Sequence, residues 1–513
     1  MQLHPLLRWP LRLFLLLLAF LLALVLGFSM YAVLALPALQ PWHTERLTQE
    51  FRAEAHAGLD FDGYLQREAL LFEELKARQA AWQAQEHSAE RGEWGEWADS
   101  RFNPKSQVSR LAEGAPFNRS MRLGVKQARG QALLIHGLTD SPYAMKAMAD
   151  TLRAQGMAVT LLRLPGHGTL PSMMLEMELR DWRAAVRIAA ADVAKRAGPD
   201  QPFYLGGFST GGALALLHSL DTLQDPALRR PDRVLLAAPA IELPPVAAVS
   251  NVVDVLHYLP IPLLQKTRWQ ELIAEYDPYK YNSFPINAGR QVFHATQALQ
   301  QGLSEAAAAG RLAQMPPVLT YQSVVDATVG ATGALDTLYA RLPGAQHRLV
   351  LFDINRQQHL RSIVSPSSQA LLDRVLASPR GYTLEIVSNL DPQSAAVAAQ
   401  RWAPGASEAS ADPVSAALQP ALQWPFDQVS LGHVSLLWPP NDPIYGYMPG
   451  SGRHGVPAIG SWLLRGESGA TNLALGSLTR LRSNPFWALI EADLRATLVA
   501  DLNARAGETK SHP

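Results

Sequence analysis

Phe203-Tyr204-Leu205-Gly206-Gly207-Phe208-Ser209-Thr210-Gly211-Gly212 decides how the rest of the chain is read. It opens as a short apolar, aromatic run, which predicts a buried strand. Residues 213–218 then read as the start of a buried helix. Between them stands Gly207-Phe208-Ser209-Thr210-Gly211, a Gly-x-Ser-x-Gly on a strand-to-helix turn, the arrangement of a nucleophile elbow. The residue types follow from the geometry. A serine on a tight, strained turn needs neighbours without bulk, and Gly207 and Gly211 let strand and helix approach each other. The helix starts just after Ser209, so backbone N–H groups face any oxyanion that forms there. Ser209 is therefore expected as a nucleophile. The remaining sequence must supply an oxyanion loop upstream, and an acid and a histidine downstream.

A chain of 513 residues has room for one large domain with insertions, or for two domains. With 48% hydrophobic and 18% charged residues it can bury a substantial core, which argues against global disorder. Lys+Arg and Asp+Glu both number 45, so the charge balance gives no reason to expect nucleic acid as a partner. The chain has no Cys, which removes disulfides, thiolate catalysis and Cys-ligated metals, and suits an oxidising compartment without requiring one. The sequence has no metal-ligand spacing, phosphate loop or internal repeat, so neither a metal nor a cofactor is expected.

Residues 13–39 carry no charged side chain. That run exceeds the ~20 residues that span a bilayer as a helix and the ~7–15 apolar residues of a signal peptide. Arg8 and Arg12 precede it, and Pro41-Trp42-His43 after it is not basic. The expectation is a transmembrane anchor with a cytoplasmic N-terminus and an exported body, Trp9 and Trp42 lying at the two interfaces. Residues 45–85 read as largely helical and amphipathic, a stalk or a helix packed on the body, with Phe61, Leu65, Phe72, Leu75 and Trp82 at helical spacing. Residues 87–118 read as irregular linker.

Gln131-Ala132-Leu133-Leu134-Ile135-His136-Gly137 is a short apolar strand ending in His-Gly, with a helix to about residue 155 after it. Met157-Ala158-Val159-Thr160-Leu161-Leu162-Arg163 is a second strand and leads into Leu164-Pro165-Gly166-His167-Gly168. A helix over 179–196 returns the chain to the elbow strand. Strands alternating with helices imply a parallel sheet with right-handed crossovers. In order and spacing, His136-Gly137, Arg163-Leu164-Pro165-Gly166-His167-Gly168 and Gly207-Phe208-Ser209-Thr210-Gly211 resemble the α/β-hydrolase superfamily, most of all its lysophospholipase, monoglyceride lipase and carboxylesterase branch. The resemblance covers residues 130–360, extends more weakly to the C-terminus and leaves out the N-terminal run. It implies an α/β-hydrolase fold, mostly parallel sheet with helices on both faces, over 129–513. A helical cap insertion is expected at 241–313 and a loop insertion at 391–425, behind an anchor (1–40) and a helical stalk and linker (41–128).

The resemblance also implies roles. The loop after His136 would give one oxyanion N–H, from Leu138, and Thr210 the other. His136 itself reads as a structural hydrogen-bonding residue. The cap would hold Tyr258, Trp269, Tyr276, Tyr279 and Tyr281, most of them packing it onto the body. Asp326 ends the strand 317–326 that follows the cap, where the family's acid sits; ionised, it would orient and stabilise the imidazole. Two histidines compete as base. His359 follows the strand 347–353 closely, but its surroundings read as the start of a helix. His433, in Val429-Ser430-Leu431-Gly432-His433-Val434-Ser435, has a Gly-His presentation after a strand-like run and is preferred, although an additional strand over 382–387 and the 391–425 insertion precede it. Asp442 is an alternative acid. A C-terminal helix over 485–503, capped by Asn484, is expected to pack on the sheet. The implied activity is hydrolysis of carboxylic esters, lipid-like ones given the anchor and the aromatic cap. Acyl transfer or peptide hydrolysis on the same scaffold, or an anchored binding protein that has lost the chemistry, are the alternatives.

Overall fold

The computed structural model describes residues 5–88, 98, 100–114, 116–243, 262–362, 366–377, 380–426, 428–446 and 483–511. Ten strands form one sheet: β1 (Met121–Leu123), β2 (Gly130–Ile135), β3 (Met157–Leu162), β4 (Phe203–Phe208), β5 (Arg233–Ala237), β8 (Val318–Ser323), β9 (Arg348–Phe352), β10 (Thr383–Asn389), β11 (Val397–Trp402) and β12 (Ser410–Ala411). A separate hairpin pairs β6 (Trp269–Glu271) with β7 (Phe284–Pro285). The spatial order is β1-β3-β2-β4-β5-β8-β9-β10-β11-β12. The seven strands from β3 to β10 run parallel, and β1, β11 and β12 join antiparallel at the edges. In β2, β3, β4 and β8 every residue is buried. A parallel sheet covered by helices on both faces requires this, and it explains why these strands read as unbroken apolar runs and not as alternating ones.

The chain passes from β2 outward to β3 and then back across β2 to β4. The strand order reverses there, and the loops leaving the ends of β2 and β4 open a crevice. Register brings those ends side by side, with Ile135 opposite Gly207. Gly211 lets the helix Thr210–Asp221 settle there, because a Cβ on it would overlap the carbonyl oxygen of Ile135 and crowd that of His136. A Cβ on Gly207 would in turn overlap the Gly211 carbonyl group. Gly211→Ala is expected to lower stability by at least ~1–3 kcal/mol, as overpacking against an unyielding backbone does. The denaturant midpoint checks this; an unchanged midpoint would mean that the helix does not sit so close.

The N-terminal segment is bonded to the body. Pro5–Ala35 is one helix of 31 residues. Its Leu13, Phe14, Leu16, Phe20 and Leu22 are exposed. Side chains of this helix are described at Trp9, over 12–20 and at scattered positions beyond, and among the described residues no helix is long and apolar enough to cross a membrane. Just past it, Leu36 and Leu39 pack against Leu175, Trp269 and Leu272, and Lys266 Nζ donates to Leu36 O at 2.7 Å. The largely helical run expected over 45–85 is a continuous helix only from Phe61, and residues 45–60 hold one short helical turn, Ala53–His56. Trp42, Leu71, Leu75, Trp82 and Phe102 share a small core with Leu170 and Met173 of the body.

Two insertions differ from their sequence reading. In 241–313, residues 244–261, including Tyr258, lie outside the described residues. The described remainder holds the β6–β7 hairpin and the helix Ile286–Ala308, whose Ala288, Val292, Leu299 and Leu303 lie in the main core. That helix is thus a crossover layer of the body. The segment 391–425, expected as a loop, carries β11 and β12 and widens the sheet. Its alanines disguise a strand whose pairing is decided by the free edge of β10. The C-terminal helix runs Trp487–Ser511, two residues later than expected. Asn484 ties its start to the body by donating from its backbone N–H to Trp438 O at 2.7 Å and from Nδ2 to Leu436 O at 3.2 Å. The stretch 477–482 lies outside the described residues.

Candidate active site

Ser209 stands between the end of β4 and the first residue of the helix, with φ 53° and ψ −118°. A non-glycine residue reaches that region only under strain, so the surroundings must hold it. They do so through its backbone. Ser209 N–H donates to Ala237 O at 3.0 Å, and Ser209 O accepts from Ala240 N at 2.9 Å and Gly212 N at 3.0 Å. The side chain is thereby fixed at the crevice mouth. Thr210 begins the helix, so its N–H has no acceptor within it. Leu138 is half-buried in the turn that follows β2.

His433 and Asp326 are 107 residues apart in sequence and meet in space: His433 Nδ1 is 2.7 Å from Asp326 Oδ2. Both are nearly buried. The imidazole lies 4.9 Å, centroid to centroid, from the ring of Phe208, the residue before Ser209. Asp326 sits just past β8. Its Oδ1 accepts from Thr328 N (2.9 Å) and Val329 N (3.0 Å), and its Oδ2 from Gln322 Nε2 (3.0 Å). Burial alone would push this carboxyl up. The charge of His433, the hydrogen bond to it and the two N–H donors outweigh burial and hold it below its ordinary value. The segment carrying His433 is moored by Ser323 Oγ donating to Leu431 O at 2.9 Å and Asn355 N donating to Val429 O at 2.7 Å.

The other candidates stand elsewhere. His359 is exposed on a short turn, stacked on the ring of Phe426 at 5.3 Å. Asp442 accepts from Tyr143 Oη at 3.2 Å and from Ile444 N and Tyr445 N at 2.9 Å. His136 Nδ1–H donates to Gly137 O at 2.8 Å and Nε2 accepts from Leu164 N at 3.0 Å, a structural role. Burial keeps His136 far below its ordinary value and brings His167, T-shaped against it, down to about 4, so both are neutral. Sequence reasoning missed Gln322, although a polar residue within a buried strand was a signal. It also missed the stacking of Tyr279 on Tyr143 at 4.1 Å, which packs the 277–283 segment against the loop after β2. A cleft of about 980 Å³, lined by Asn355, Arg356, Gln357, Asp373 and Gln393 among others, lies beyond β9; neither Ser209, Asp326 nor His433 lines it. Among the described residues no group of His, Asp and Glu could hold a metal ion.

Residues 126–356 match the family model described as "Serine aminopeptidase, S33". A thermostable monoacylglycerol lipase of Bacillus sp. (strain H-257) is 36% identical over 84 residues, 16% of this chain and 32% of that protein, so the match spans about a third of the relative's length. Similar solved structures include one from work on LipS and LipT, two metagenome-derived lipolytic enzymes (21% identity, 47% of this chain and 89% of that one, TM-score 0.37). Another is the monoacylglycerol lipase of Paleococcus ferrophilus (16% identity, 50% and 97%, TM-score 0.34). With the β2–β4 switch point and the elbow, the sheet has the α/β-hydrolase fold, and residues 126–356 resemble the monoglyceride lipase and esterase branch of that superfamily.

Proposed function

We propose that the protein is a serine hydrolase of carboxylic esters, lipid-like ones such as monoacylglycerols or lysophospholipids. The observations that carry this reading are Ser209 held at φ 53° on the elbow, and a His433–Asp326 pair at 2.7 Å whose imidazole lies 4.9 Å from the ring of Phe208, the residue before Ser209. In this mechanism His433 takes the proton of Ser209 Oγ as the oxygen attacks the ester carbonyl. The N–H groups of Thr210 and Leu138 stabilise the tetrahedral oxyanion. His433 then protonates the leaving alcohol, the acyl-enzyme forms, and the same base activates water to release the acid. Asp326 holds the imidazole in the Nδ1–H tautomer throughout. Similarity to monoacylglycerol lipases supports the lipid-like substrate.

We further propose that the helix Pro5–Ala35 anchors the protein in a membrane, with the hydrolase domain on the exported side. Its support is the charge-free run 13–39, the single helix over most of it, and its exposed leucines and phenylalanines. Deleting residues 1–40 should move the protein from the membrane fraction to the soluble one; a truncated chain that still sediments with membranes would overturn the anchor.

A second reading, hydrolysis of an aminoacyl amide bond by the same residues, is favoured by the description of the matching family. The deciding experiment treats purified protein with a fluorophosphonate probe, a monoacylglycerol and an aminoacyl p-nitroanilide. Labelling of wild type, none of Ser209→Ala, and turnover of the monoacylglycerol alone are expected. Faster anilide cleavage would make it a peptidase. Absence of labelling in folded wild type would leave an anchored binding protein.

A further inference from the structure

We propose that Lys280 and Asp140 form a positioning pair that holds the loop after β2, and with it the Leu138 N–H, in the geometry that receives the oxyanion; this rests on the esterase reading above. The loop needs such a hold. Thr139, a β-branched residue, has φ 62°, a left-handed conformation that L side chains adopt only under strain. It directly follows Leu138, so relaxing it would turn the Leu138 N–H away from the crevice.

Three contacts oppose that relaxation, and all come from the segment 277–283, far away in sequence. Tyr281 N–H donates to Thr139 O at 2.8 Å. Lys280 Nζ lies 2.8 Å from Asp140 Oδ1. Tyr279 stacks on Tyr143 just beyond the loop. The loop closes on itself as well. Asp140 N–H reaches Gly137 O at 3.3 Å, and Asp140 Oδ2 lies 2.7 Å from the point where a Cβ on Gly137 would stand. The carboxylate is therefore folded back over the turn, buried, with Lys280 as its cation.

The segment that delivers Lys280 is itself fixed. Asp277 Oδ1 accepts from Tyr279 N at 3.0 Å and Lys280 N at 3.1 Å, which shapes the turn. Tyr281 Oη accepts from Thr169 N at 2.8 Å and donates to Gly166 O at 3.1 Å, which pins the turn to the loop after β3. Lys280 thus approaches from a rigid base. A charge-assisted hydrogen bond to a buried carboxylate is among the stronger single contacts available. Without the ammonium, Asp140 would be an uncompensated buried charge and would have to take up a proton or swing toward water. Either outcome frees the strained turn.

An oxyanion donor acts in the transition state and hardly in substrate binding, so its displacement lowers kcat and leaves KM alone. Deleting such a donor costs ~10²–10³-fold in kcat, and displacing it should cost at least about tenfold. The experiment measures kcat and KM for a p-nitrophenyl ester with wild type, Lys280→Met, Lys280→Gln, Lys280→Arg and Asp140→Asn, alongside far-UV circular dichroism. Both neutral substitutions of Lys280, and Asp140→Asn, are expected to lose about tenfold or more in kcat with KM within about threefold, while Lys280→Arg recovers most of the loss. Wild-type kcat in folded Lys280→Met or Lys280→Gln would overturn the proposal, as would a loss confined to KM or one that arginine does not repair. If wild type itself neither turns over nor labels, the esterase reading falls and takes this one with it; if wild type is active and the lysine variants match it, only the positioning role falls.

Discussion

Ser209→Ala and His433→Ala are each expected to lower kcat for ester hydrolysis by about 10⁶-fold, with the double variant no slower than either single one. Groups that act as a unit give this non-additivity, because once either is gone the other has nothing left to assist. The residual rate over water then comes from the N–H donors and substrate binding. Asp326→Asn loses less, about 10⁴-fold, because the amide presents the wrong hydrogen-bonding face to Nδ1 and favours the wrong tautomer. The geometry should survive that substitution, since the donors Thr328 N and Val329 N hold the opposite oxygen. The wild-type carboxylate is held below its ordinary 3.8, so it stays ionised well into the acid range and does not set the acid limb of the rate profile. His359→Ala keeps wild-type kcat, its ring lying exposed against Phe426. Steady-state turnover of a p-nitrophenyl ester by the four single variants and the double variant checks the set. A dead His359→Ala beside an active His433→Ala would reverse the assignment of the base.

The parts of this molecule that can be read from sequence are those where a local demand dictates the residue type. The elbow requires glycine at 207 and 211 because a side chain there would collide with backbone. The parallel strands read as strands because burial on both faces leaves no room for polar alternation. Edge strands lack that pressure. β1 has three residues, and β11 (Val397–Trp402) mixes alanine with exposed polar residues, so only the register against β10 reveals it. The choice between two histidines was of the second kind. Both follow a strand-like run in the sequence, and what separates them is a return of the chain, moored at Val429 and Leu431, that brings His433 to Asp326 while His359 stays exposed. The Lys280–Asp140 contact joins residues 140 apart and leaves no periodic trace.

The largest stability effect is expected where the N-terminal segment meets the body. Arg163, at the end of β3, is fully buried between two carboxylates that both come from that segment. Its Nη2 reaches Glu50 Oε1 at 2.9 Å, its Nη1 reaches Glu50 Oε2 at 3.1 Å, and its Nε reaches Glu68 Oε1 at 3.2 Å. Nη1 also donates to His167 O at 2.9 Å, so the same side chain shapes the loop over 164–168. The two carboxyls are not equivalent. Burial pushes both up, but at Glu50 the guanidinium charge, its hydrogen bond and the N–H groups of Gly166 and Phe51 win, and the group is held below 4.5. At Glu68 burial wins and the group is raised, in keeping with an Oε2 that is buried without a partner among the described residues. Arg163→Met should therefore destabilise by about 3–5 kcal/mol, the cost of leaving a buried charge alone. Glu68→Gln should cost less than Arg163→Met, because Glu50 still pairs the guanidinium and the amide oxygen can still accept from Arg163 Nε and Ser120 N. The pH dependence has a definite sign. In wild type the lowered Glu50 contributes stability above 4.5 that is lost as pH falls through its folded value. In Arg163→Met burial acts on Glu50 against the Gly166 and Phe51 N–H groups alone and raises it, so the variant is penalised most at neutral pH and recovers on acidification. The two denaturation curves should converge as pH falls toward 4. A stability difference that is absent at pH 7, or that grows on acidification, would show that residues 41–85 form a stalk free of the body, whereas the expected difference makes that segment part of the hydrolase fold itself.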